Sequence, residues 1–521
     1  TEATTEQEGL RTWVDDLRVE RLKPDRRQEL ALLKAADTAG FDSSGSGFVK
    51  HGQLLPVGDA ETVEPPCDHN FDFRSALFAP APTRMAFEVQ VPRRARLNFS
   101  VALSEASRPG DRATFRVRVR TGDGKVRTHF RRTLSVGRDH RGWRWYDQVL
   151  PLGEYAGRKV RLILETRAPR GRRGLCLWGN PVIDRPRRKG EPPSVILIGV
   201  DTLRADRMSA WGHERATTPR IEALARDGML FEQAVSPTNW TVPSFASMFT
   251  GLMPATHRVT HRSRVIAPEV VTVAERLRAA GWQTHGVAYK AYLYNMGFEQ
   301  GFDTWFNVPR AHIRGSDNLQ KALAWLARNH DRRFFLFLHL NDPHQPFNQP
   351  APYVEKYAEP GALAKLGAEM PLLFRPDGGV NGCAHCRQEG DVRPEARRLA
   401  RDLYDGSVAY TDALVGELVD ALEKHGIYRD TLLVFVSDHG EVMWEHENYF
   451  GHGGPRLWDE LVMVPLLIKP PASADLAHGR RVAAQVSALD LVPTLLEMVG
   501  VEGADRTEGR SLLPLMQKEA A

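Results

Sequence analysis

At 521 residues the chain is longer than one hydrophobic core usually supports, so we expect a large domain of about 300 residues and a smaller one. Hydrophobic residues make up 42% and charged residues 26%, which is ordinary for a globular protein and excludes wholesale disorder. The net charge of +5 is too small to indicate a specific nucleic-acid partner.

The first residues predict a helical segment, which we place at residues 1–45. Leu10, Trp13, Val14 and Leu17 recur at helical spacing among charged neighbours, the pattern of an amphipathic helix. No stretch of the sequence reaches the roughly 20 apolar residues needed to cross a bilayer.

Residues 46–184 predict an all-β sandwich domain. Apolar residues alternate with arginines from Phe115 to Arg120, and Gly122-Asp123-Gly124 then turns the chain. This is the pattern of a β-hairpin, and short apolar runs of strand length continue through the region.

Arginine crowds the same region, in pairs such as Arg93-Arg94 and Arg131-Arg132. A solvated basic face is one interpretation; contact with an anionic membrane or polysaccharide is the other. The charged, proline-rich stretch 185–193 then predicts an exposed linker. Nothing in the sequence indicates an oligomeric state.

Residues 194–521 alternate apolar strands with helical patterns, which predicts an α/β domain whose mainly parallel sheet lies between helices. Three near-continuous apolar runs, at residues 194–200, 334–340 and 431–436, are long enough for strands buried on both faces.

Each of these three runs ends in side chains that can bind a metal, namely Asp201, then His339, Asp342 and His344, then Asp438 and His439. Ligands bind outside the carboxyl ends of the strands in open α/β sheets, so we expect the three segments to converge on one site. Buried carboxylates require a cation. We favour a divalent metal over pairing with Arg204 or Arg207, because three separate segments supply the ligands.

The segment from Asn239 to Gly251 predicts a short helix with a reactive hydroxyl at its start. Thr241 has the position of an N-cap, Pro243 falls in the first turn, and Gly251 ends the helix. N–H groups at this end of a helix can receive an anionic substrate oxygen. A threonine before a helix is usually only a cap, and the neighbouring ligands are what make Thr241 a candidate nucleophile.

Seven short motifs resemble, in order, the sulfatase-like branch of the alkaline phosphatase superfamily. They lie at residues 200–206, 241–244, 339–344, 410–412, 437–441, 451–453 and 490–494. The resemblance covers about residues 194–516. It implies the alkaline-phosphatase-like α/β fold, an anionic ester substrate linked to a lipid or a glycan, and an extracytoplasmic location.

The resemblance also implies roles for single residues. One set binds a metal: Asp201, Thr241, Asp438 and His439. Another pair contacts the transferred group or, together with Asp342, binds a second metal: His344 and His452. Three residues are candidates for contact with the substrate anion: Lys290, His339 and Arg204. Zinc or manganese suits these mixed ligands better than calcium or magnesium, and one ion and two ions are both open.

The sequence departs from formylglycine sulfatases, which carry Cys or Ser in the pattern C/S-x-P-x-R. Here the residues are Thr241 and Phe245, and oxidation of threonine would give a ketone rather than the aldehyde. Threonine nucleophiles resemble phosphodiesterases and phosphoethanolamine or phosphoglycerol transferases of the superfamily. We therefore predict a metal-dependent phosphoester hydrolase or phosphotransferase. The alternatives are a sulfatase and a non-catalytic binding protein of the same fold.

Two cysteines lie close together in a glycine-rich segment, Cys383 and Cys386. Their spacing is compatible with half a zinc site, a redox pair or a local disulfide. We favour a structural loop, because no second close pair completes a four-cysteine zinc site.

Overall fold

The computed structural model describes residues 30–31, 40–42, 54–58, 71–104, 107–137, 144–170, 174–260, 264–289, 293, 296–308, 314–369, 392–446 and 449–517. These residues form two compact units. Most of the first unit lies in residues 76–139 and 146–185, and most of the second in residues 186–521. The helix predicted near Leu10 and the cysteine pair fall outside the described residues. The described residues within 1–45, Leu30–Ala31 and Gly40–Asp42, are strands.

Within the described residues, the first unit consists of two antiparallel sheets. One sheet has the spatial order Gly40–Asp42, Thr83–Gln90, Lys159–Arg167, Arg112–Arg120 and Val126–Ser135. The other has the order Phe71–Phe78 (through its last residues), Cys176–Asp184, Arg96–Leu103 and Tyr146–Pro151, and Leu30–Ala31 also pairs with Cys176–Asp184. A short 3₁₀-helix, Gly153–Tyr155, precedes Lys159–Arg167.

Aromatic side chains join the two sheets of this unit. The ring of Phe99 lies 5.0 Å from that of Phe130, and the ring of Trp178 lies 5.3 Å from that of Phe115. The alternation predicted in Arg112–Arg120 places its apolar residues on this inner side and its arginines on the outer side. The predicted β-sandwich is confirmed.

The second unit is built on a mixed, mainly parallel sheet. Its strands have the spatial order Arg480–Ser487, Met229–Val235, Met463–Lys469, Thr431–Ser437, Ser194–Val200, Phe334–Leu340, Gln283–Tyr289 and Thr304–Val308, followed by the first residues of Phe71–Phe78 and then Leu54–Gly58. Met463–Lys469 runs antiparallel to both of its neighbours.

Helices cover both faces of this sheet. The α-helices of the described residues are Pro219–Arg226, Thr241–Thr250, Pro254–His257, Val273–Ala279, Gly315–Asn329, Ala362–Glu369, Pro394–Lys424, Asp459–Val462, Leu491–Val499 and Leu513–Met516. Short 3₁₀-helices occur at Ala205–Arg207, Ser209–Trp211, Tyr353–Glu355, Ala488–Asp490 and Ala504–Arg506, and Val442–Met443 pairs with Phe450–Gly451. None of these helices is long and apolar enough to span a membrane.

The central strand Ser194–Val200 divides the core of this unit into two clusters. Ile196, Ile198 and Val200 pack on the side that contains helix Pro394–Lys424, and Val195 and Leu197 pack on the side that contains helix Thr241–Thr250. The strand is parallel to both neighbours, Phe334–Leu340 and Thr431–Ser437, and all residues of the three strands are buried. The predicted buried parallel strands are confirmed, and their carboxyl ends share one edge.

Candidate metal and catalytic site

Three buried side chains at the carboxyl ends of two strands form the centre of the site. Asp201 follows Ser194–Val200, and Asp438 and His439 follow Thr431–Ser437. The N–H of Asp201 donates to the carbonyl of Leu340, and that of Asp438 donates to the carbonyl of Val200, both at 3.0 Å. The three side chains are fully buried, and their ligand atoms lie within 4.8 Å of one another. The predicted convergence of these strand ends is therefore present.

Backbone donors hold the carboxylate of Asp438 in place. Its Oδ1 accepts the N–H of Thr202 at 3.1 Å and the N–H of His439 at 2.7 Å. Thr202 has a φ of 56°, a left-handed conformation that non-glycine residues seldom adopt. The backbone of Asp438 is held as well, because the hydroxyl groups of Ser236 and Ser244 both donate to its carbonyl, at 2.6 and 2.7 Å.

The imidazole of His439 has the tautomer that a metal ligand needs. Its Nδ1 lies 2.8 Å from the carbonyl of Gly440 and therefore carries the proton. Nε2 then has its lone pair toward the cluster, 3.7 Å from Oδ1 of Asp201 and 3.5 Å from Oδ2 of Asp438. A backbone carbonyl that orients an imidazole in this way is a common second contact at metal sites.

The residues of this cluster fit one divalent cation. Ligand bonds of about 2.0–2.1 Å in tetrahedral geometry separate neighbouring ligand atoms by about 3.3–3.4 Å. Distances of 3.5 and 3.7 Å around Nε2 of His439 are close to that value. Two carboxylates and an imidazole are ligands that zinc and manganese accept.

Arg204 and Arg207, the alternative partners considered for the buried carboxylates, bind other acids. The guanidinium of Arg204, 3% exposed, lies 2.6 Å from Asp206 and 2.7 Å from Glu445, and that of Arg207 lies 3.5 Å from Asp405. Arg204 also donates to the carbonyl of Glu441 at 3.0 Å. The structure therefore places Arg204, a predicted substrate contact, in a network that fixes the loops of the site.

Thr241 lies beside the cluster at the start of helix Thr241–Thr250. The helix begins one residue earlier than expected, with Trp240 in the N-cap position and Gly251 ending the helix at a φ of 71°. The expectation that Thr241 is the cap is wrong, because its hydroxyl is directed to a residue outside the helix. Its Oγ1 lies 3.4 Å from Nε2 of His439, and the side chain is 2% exposed.

Phe245 occupies the position at which formylglycine sulfatases carry arginine, and it is part of the core. Its ring lies 4.8 Å from that of His339 and 5.6 Å from that of Phe337. A Cβ atom at Gly199 would come within 2.6 Å of the Phe245 ring, so the strand needs glycine there. An arginine in this place would bury its charge in an apolar cluster.

His339 is fully buried beneath the cluster. Its Nε2 lies 3.9 Å from Oδ2 of Asp201, and its carbonyl accepts from the side chain of Asn318 at 2.8 Å. The structure brings His339 to a metal ligand, at the end of its strand. Lys290, the other predicted substrate contact, lies outside the described residues.

Two further imidazoles extend the site from His439. The His452 ring lies 4.5 Å from the His439 ring, and the His344 ring lies 5.3 Å from the His452 ring. Nδ1 of His452 lies 2.9 Å from Oε1 of Glu441, and Nδ1 of His344 lies 2.8 Å from the carbonyl of Gln345. Each Nδ1 atom therefore has a hydrogen-bond acceptor. A contact of this kind orients an imidazole that acts through its Nε2 atom.

Glu441 is a site residue that the sequence analysis did not assign. It is fully buried and immediately follows Gly440 in the segment that supplies Asp438 and His439. The signal in the sequence that could have assigned Glu441 to the site was its place in the motif at residues 437–441. A buried glutamate three residues after a metal ligand needs a partner such as His452.

Asp342, considered as a ligand of a second metal, holds the start of a helix. Its Oδ2 accepts the first N–H of helix Gly315–Asn329 at 2.7 Å, and its Oδ1 accepts from Gln349 at 3.1 Å. Burial raises the pKa of this carboxyl. Among the described residues, Asp342, His344 and His452 do not form a group of ligand atoms within 4.8 Å, whereas Asp201, Asp438 and His439 do.

Two residues outside the predicted motifs connect the segments of the site. The hydroxyl of Tyr404 donates to the carbonyl of Thr202 at 2.6 Å and accepts the N–H of Arg204 at 2.9 Å. The backbone carbonyl of Asn239 accepts the N–H of Gly453 at 3.0 Å, which connects the segment of Thr241 to the segment of His452. Tyr404 lies inside a long helix and gave no sequence signal.

Known proteins are similar to this chain in sequence and in fold. The family model described as Sulfatase matches residues 193–501. Arylsulfatase K of Gallus gallus is 26% identical over 389 residues, which cover 67% of this chain and 71% of that protein. The multifunctional alkaline phosphatase superfamily protein PehA of Trinickia caryophylli is 26% identical over 62% of this chain and 77% of its own length.

Solved structures agree in fold. The phosphonate monoester hydrolase of Agrobacterium radiobacter aligns with a TM-score of 0.51 and 24% identity, over 63% of this chain and 78% of that chain. These findings confirm the predicted superfamily, the predicted fold class and the prediction of an enzyme. The matched residues include Asp201, Asp438 and His439. This chain belongs to the sulfatase family, a family of hydrolases within the alkaline phosphatase superfamily.

Proposed function

We propose that this chain is a metal-dependent hydrolase of phosphorus esters that uses Thr241 as its nucleophile. The observation that carries the proposal is the 3.4 Å distance between Oγ1 of Thr241 and Nε2 of His439, inside a cluster with two buried carboxylates. A threonine cannot become the aldehyde of formylglycine sulfatases, and Phe245 fills the position of their arginine with a core ring.

The proposed substrate is a monoanionic ester, such as a phosphodiester or a phosphonate monoester. Phosphonate monoester hydrolases and arylsulfatases are among the relatives, and the phosphonate and sulfate esters in those names each carry one negative charge. A site that neutralises one charge discriminates against the dianion of a phosphate monoester. A lipid or a glycan as the remainder of the ester, and a location outside the cytoplasm, are further parts of the proposal that rest on the family resemblance.

In the proposed mechanism Thr241 attacks phosphorus in line with the leaving group. A bond forms between its Oγ1 and phosphorus while the bond from phosphorus to the leaving oxygen breaks, and the proton of Thr241 passes to solvent. Asp201, Asp438 and His439 would hold a divalent metal, zinc or manganese by the donor set, and that ion would supply polarisation of a substrate oxygen and easier ionisation of the threonine hydroxyl. Water then cleaves the bond between phosphorus and Thr241, which restores the hydroxyl.

His452 is the proposed donor of a proton to the leaving oxygen. Its Nδ1 lies 2.9 Å from Oε1 of Glu441, and Nε2 is the atom proposed to act on the substrate; the carboxylate stabilises the imidazolium that must precede the transfer. His344, next to His452, supports the charge on the transferred group.

Sulfate ester hydrolysis is the second candidate, because relatives named for it are numerous. The arylsulfatase of Clostridium perfringens is 24% identical over 63% of this chain. In this case the same Thr241 hydroxyl would attack sulfur.

A panel of aryl esters with one shared 4-nitrophenyl leaving group tests the proposal. The panel contains a phosphate monoester, a phosphodiester, a phosphonate monoester and a sulfate, each assayed with the wild type and with Thr241→Ala. We expect the two monoanionic phosphorus esters to give the highest kcat/KM and to lose it in the variant. Sulfate turnover that exceeds both would overturn the preference for phosphorus esters, and its survival in Thr241→Ala would also overturn the nucleophile. Absence of turnover and of bound metal would favour the non-catalytic protein.

A further inference from the structure

A face of arginines covers the outer side of one sheet of the first unit. In strands Arg112–Arg120, Val126–Ser135 and Lys159–Arg167, alternate residues point away from the apolar side. Arginines hold central outward positions on all three strands. We call these residues the arginine face: Arg116, Arg118, Arg120, Arg131 and Arg161.

The register of the strands places like charges directly opposite one another on this face. Arg161 pairs with Arg120, and Arg116 pairs with Arg131. Like charges at directly opposed positions destabilise a sheet. The two opposed pairs therefore make no favourable charge interaction across the strands.

The acids on the same side compensate only part of the arginine face. Glu165 lies 3.7 Å from Arg118 and 3.9 Å from Arg116, and Glu88 lies 2.6 Å from Arg161. Among the described residues, Arg120 and Arg131 have no ion pair. Both side chains are exposed, as is Arg161 at 49%. The face thus presents uncompensated positive charge to solvent.

We propose that the arginine face binds a linear polysaccharide that carries sulfate or carboxylate groups. Adjacent strands lie about 4.8 Å apart, and alternate residues along a strand about 7 Å apart, so the face offers cations at regular intervals to an extended polyanion. The planar fork of arginine binds oxyanions of this type through paired hydrogen bonds. The proposal holds whether the catalytic site cleaves phosphorus or sulfate esters.

The composition of the face favours a polysaccharide over other polyanions. The outward positions beside the arginines include Thr114, Thr133, the fully buried Ile163, and Val126, which lies opposite Arg120 and is 41% exposed. One exposed valine is far less apolar surface than the apolar face with which a protein segment enters a lipid layer. These positions include no aromatic ring on which a nucleic-acid base would stack.

Binding of a fluorescent, sulfated heparin oligosaccharide to the full chain, followed by anisotropy over a series of salt concentrations, tests the proposal. The variant is Arg120→Ser/Arg131→Ser, and the matched control is Arg93→Ser/Arg127→Ser, which removes the same charge from exposed positions outside the face. We expect at least about a tenfold loss of affinity and a smaller salt dependence in the variant only. Thermal unfolding of the variant should be unchanged or shifted upward, because a repulsion has been removed.

Two results would overturn the proposal. One is an equal loss in the variant and the control, which would show a general effect of net charge. The other is binding to vesicles of phosphatidylglycerol and phosphatidylcholine, weakened by the variant, without binding of the oligosaccharide. Hydrolysis of a small aryl ester by the variant at the wild-type rate shows that the catalytic unit is intact, so the two proposals fail separately.

Discussion

Oγ1 of Thr241 lies 3.4 Å from Nε2 of His439, although the two residues are 198 positions apart in the sequence. The proton on Nδ1 of His439, held by the carbonyl of Gly440, leaves Nε2 as the acceptor or ligand atom between the hydroxyl and two buried carboxylates. The threonine is therefore a neighbour of the proposed metal rather than a cap of its own helix.

Replacement of the nucleophile gives the first prediction. Thr241→Ala should lower kcat by at least about a thousandfold, because the attacking oxygen is removed, and Thr241→Ser should retain measurable turnover. Thr250→Ala is the control at the other end of the same helix, where the hydroxyl donates to the carbonyl of Ala246 at 2.7 Å. Steady-state kinetics with a phosphodiester measures the effect. Wild-type kcat in Thr241→Ala would contradict the account.

Loss of a metal ligand gives the second prediction. Asp438→Asn should abolish both stoichiometric metal and activity, because a neutral amide replaces a carboxylate at the cluster. Asp412→Asn, a buried acid outside the cluster, should keep the metal. Elemental analysis after dialysis without chelator measures the content. A full complement of metal in Asp438→Asn would show that the ion binds elsewhere.

The pair of Glu441 and His452 gives the third prediction. Glu441→Gln should lower kcat by about 10–100-fold, because the imidazole loses the carboxylate that orients it and stabilises its charge. The loss should be larger for phenyl esters than for 4-nitrophenyl esters, since a poor leaving group depends more on a proton donor. Metal content should not change.

A second glutamate and histidine pair provides the control for this experiment. Glu460 lies 2.9 Å from His446 in a neighbouring loop. Glu460→Gln should leave the dependence on the leaving group unaltered. An equal loss for all leaving groups in Glu441→Gln would assign Glu441 a structural role only.

The contact between Gly199 and Phe245 gives the fourth prediction. Gly199→Ala should destabilise the protein by about 1–3 kcal/mol, because its Cβ would lie 2.6 Å from the Phe245 ring, and Phe245→Ala should cost about 3–5 kcal/mol. The double variant should be more stable than the sum of the two single losses predicts, since the new methyl group at position 199 enters the space that the Phe245 ring leaves. Urea unfolding of all four proteins measures the coupling. Additive losses would contradict the packing.

The pH dependence of stability gives the fifth prediction. Burial raises the pKa of Asp412 from 3.8 to about 6, and its carboxylate accepts the N–H groups of Arg220 and Ile221 at the start of helix Pro219–Arg226. The folded pKa lies above the unfolded one, so the contribution to stability is full below pH 3.8 and is lost as the pH rises through about 6.

Asp412→Asn removes this titration. The unfolding free energy of the wild type minus that of the variant should fall by up to about 3 kcal/mol between pH 4 and 6, and stay constant above pH 7. Urea unfolding at each pH gives the difference. A difference that rises with pH would contradict the assignment.

The sequence predicted most of the cluster because its signals are local. Asp201, Asp438 and His439 each follow an apolar run that is long enough only for a buried strand, and parallel strands bring their carboxyl ends together. The hydrogen bond of Asp342 to the start of helix Gly315–Asn329, and the contacts of Arg204 that link loops, join distant segments. Residue types alone did not distinguish these roles from metal or substrate binding.

The same reason explains the error at Thr241 and the missed register of the arginine face. Local rules assign a hydroxyl before a helix to capping, but His439 competes for it from a distant segment. Alternation placed the arginines on one side of a hairpin. Which arginine opposes which is fixed by the bulge between Val117 and Arg118 and by the pairing of Arg161 with Arg120.

The most direct test of the central claim is the mass of the peptide that contains Thr241 after rapid acid quench during turnover of a phosphonate monoester. The account predicts a phosphonyl group on Thr241 that forms in a burst. The Thr241→Ser variant should carry the same group on its serine, unless its turnover is too slow for the adduct to accumulate. A covalent adduct on another residue, or steady turnover with no adduct on Thr241 at any quench time, would contradict it.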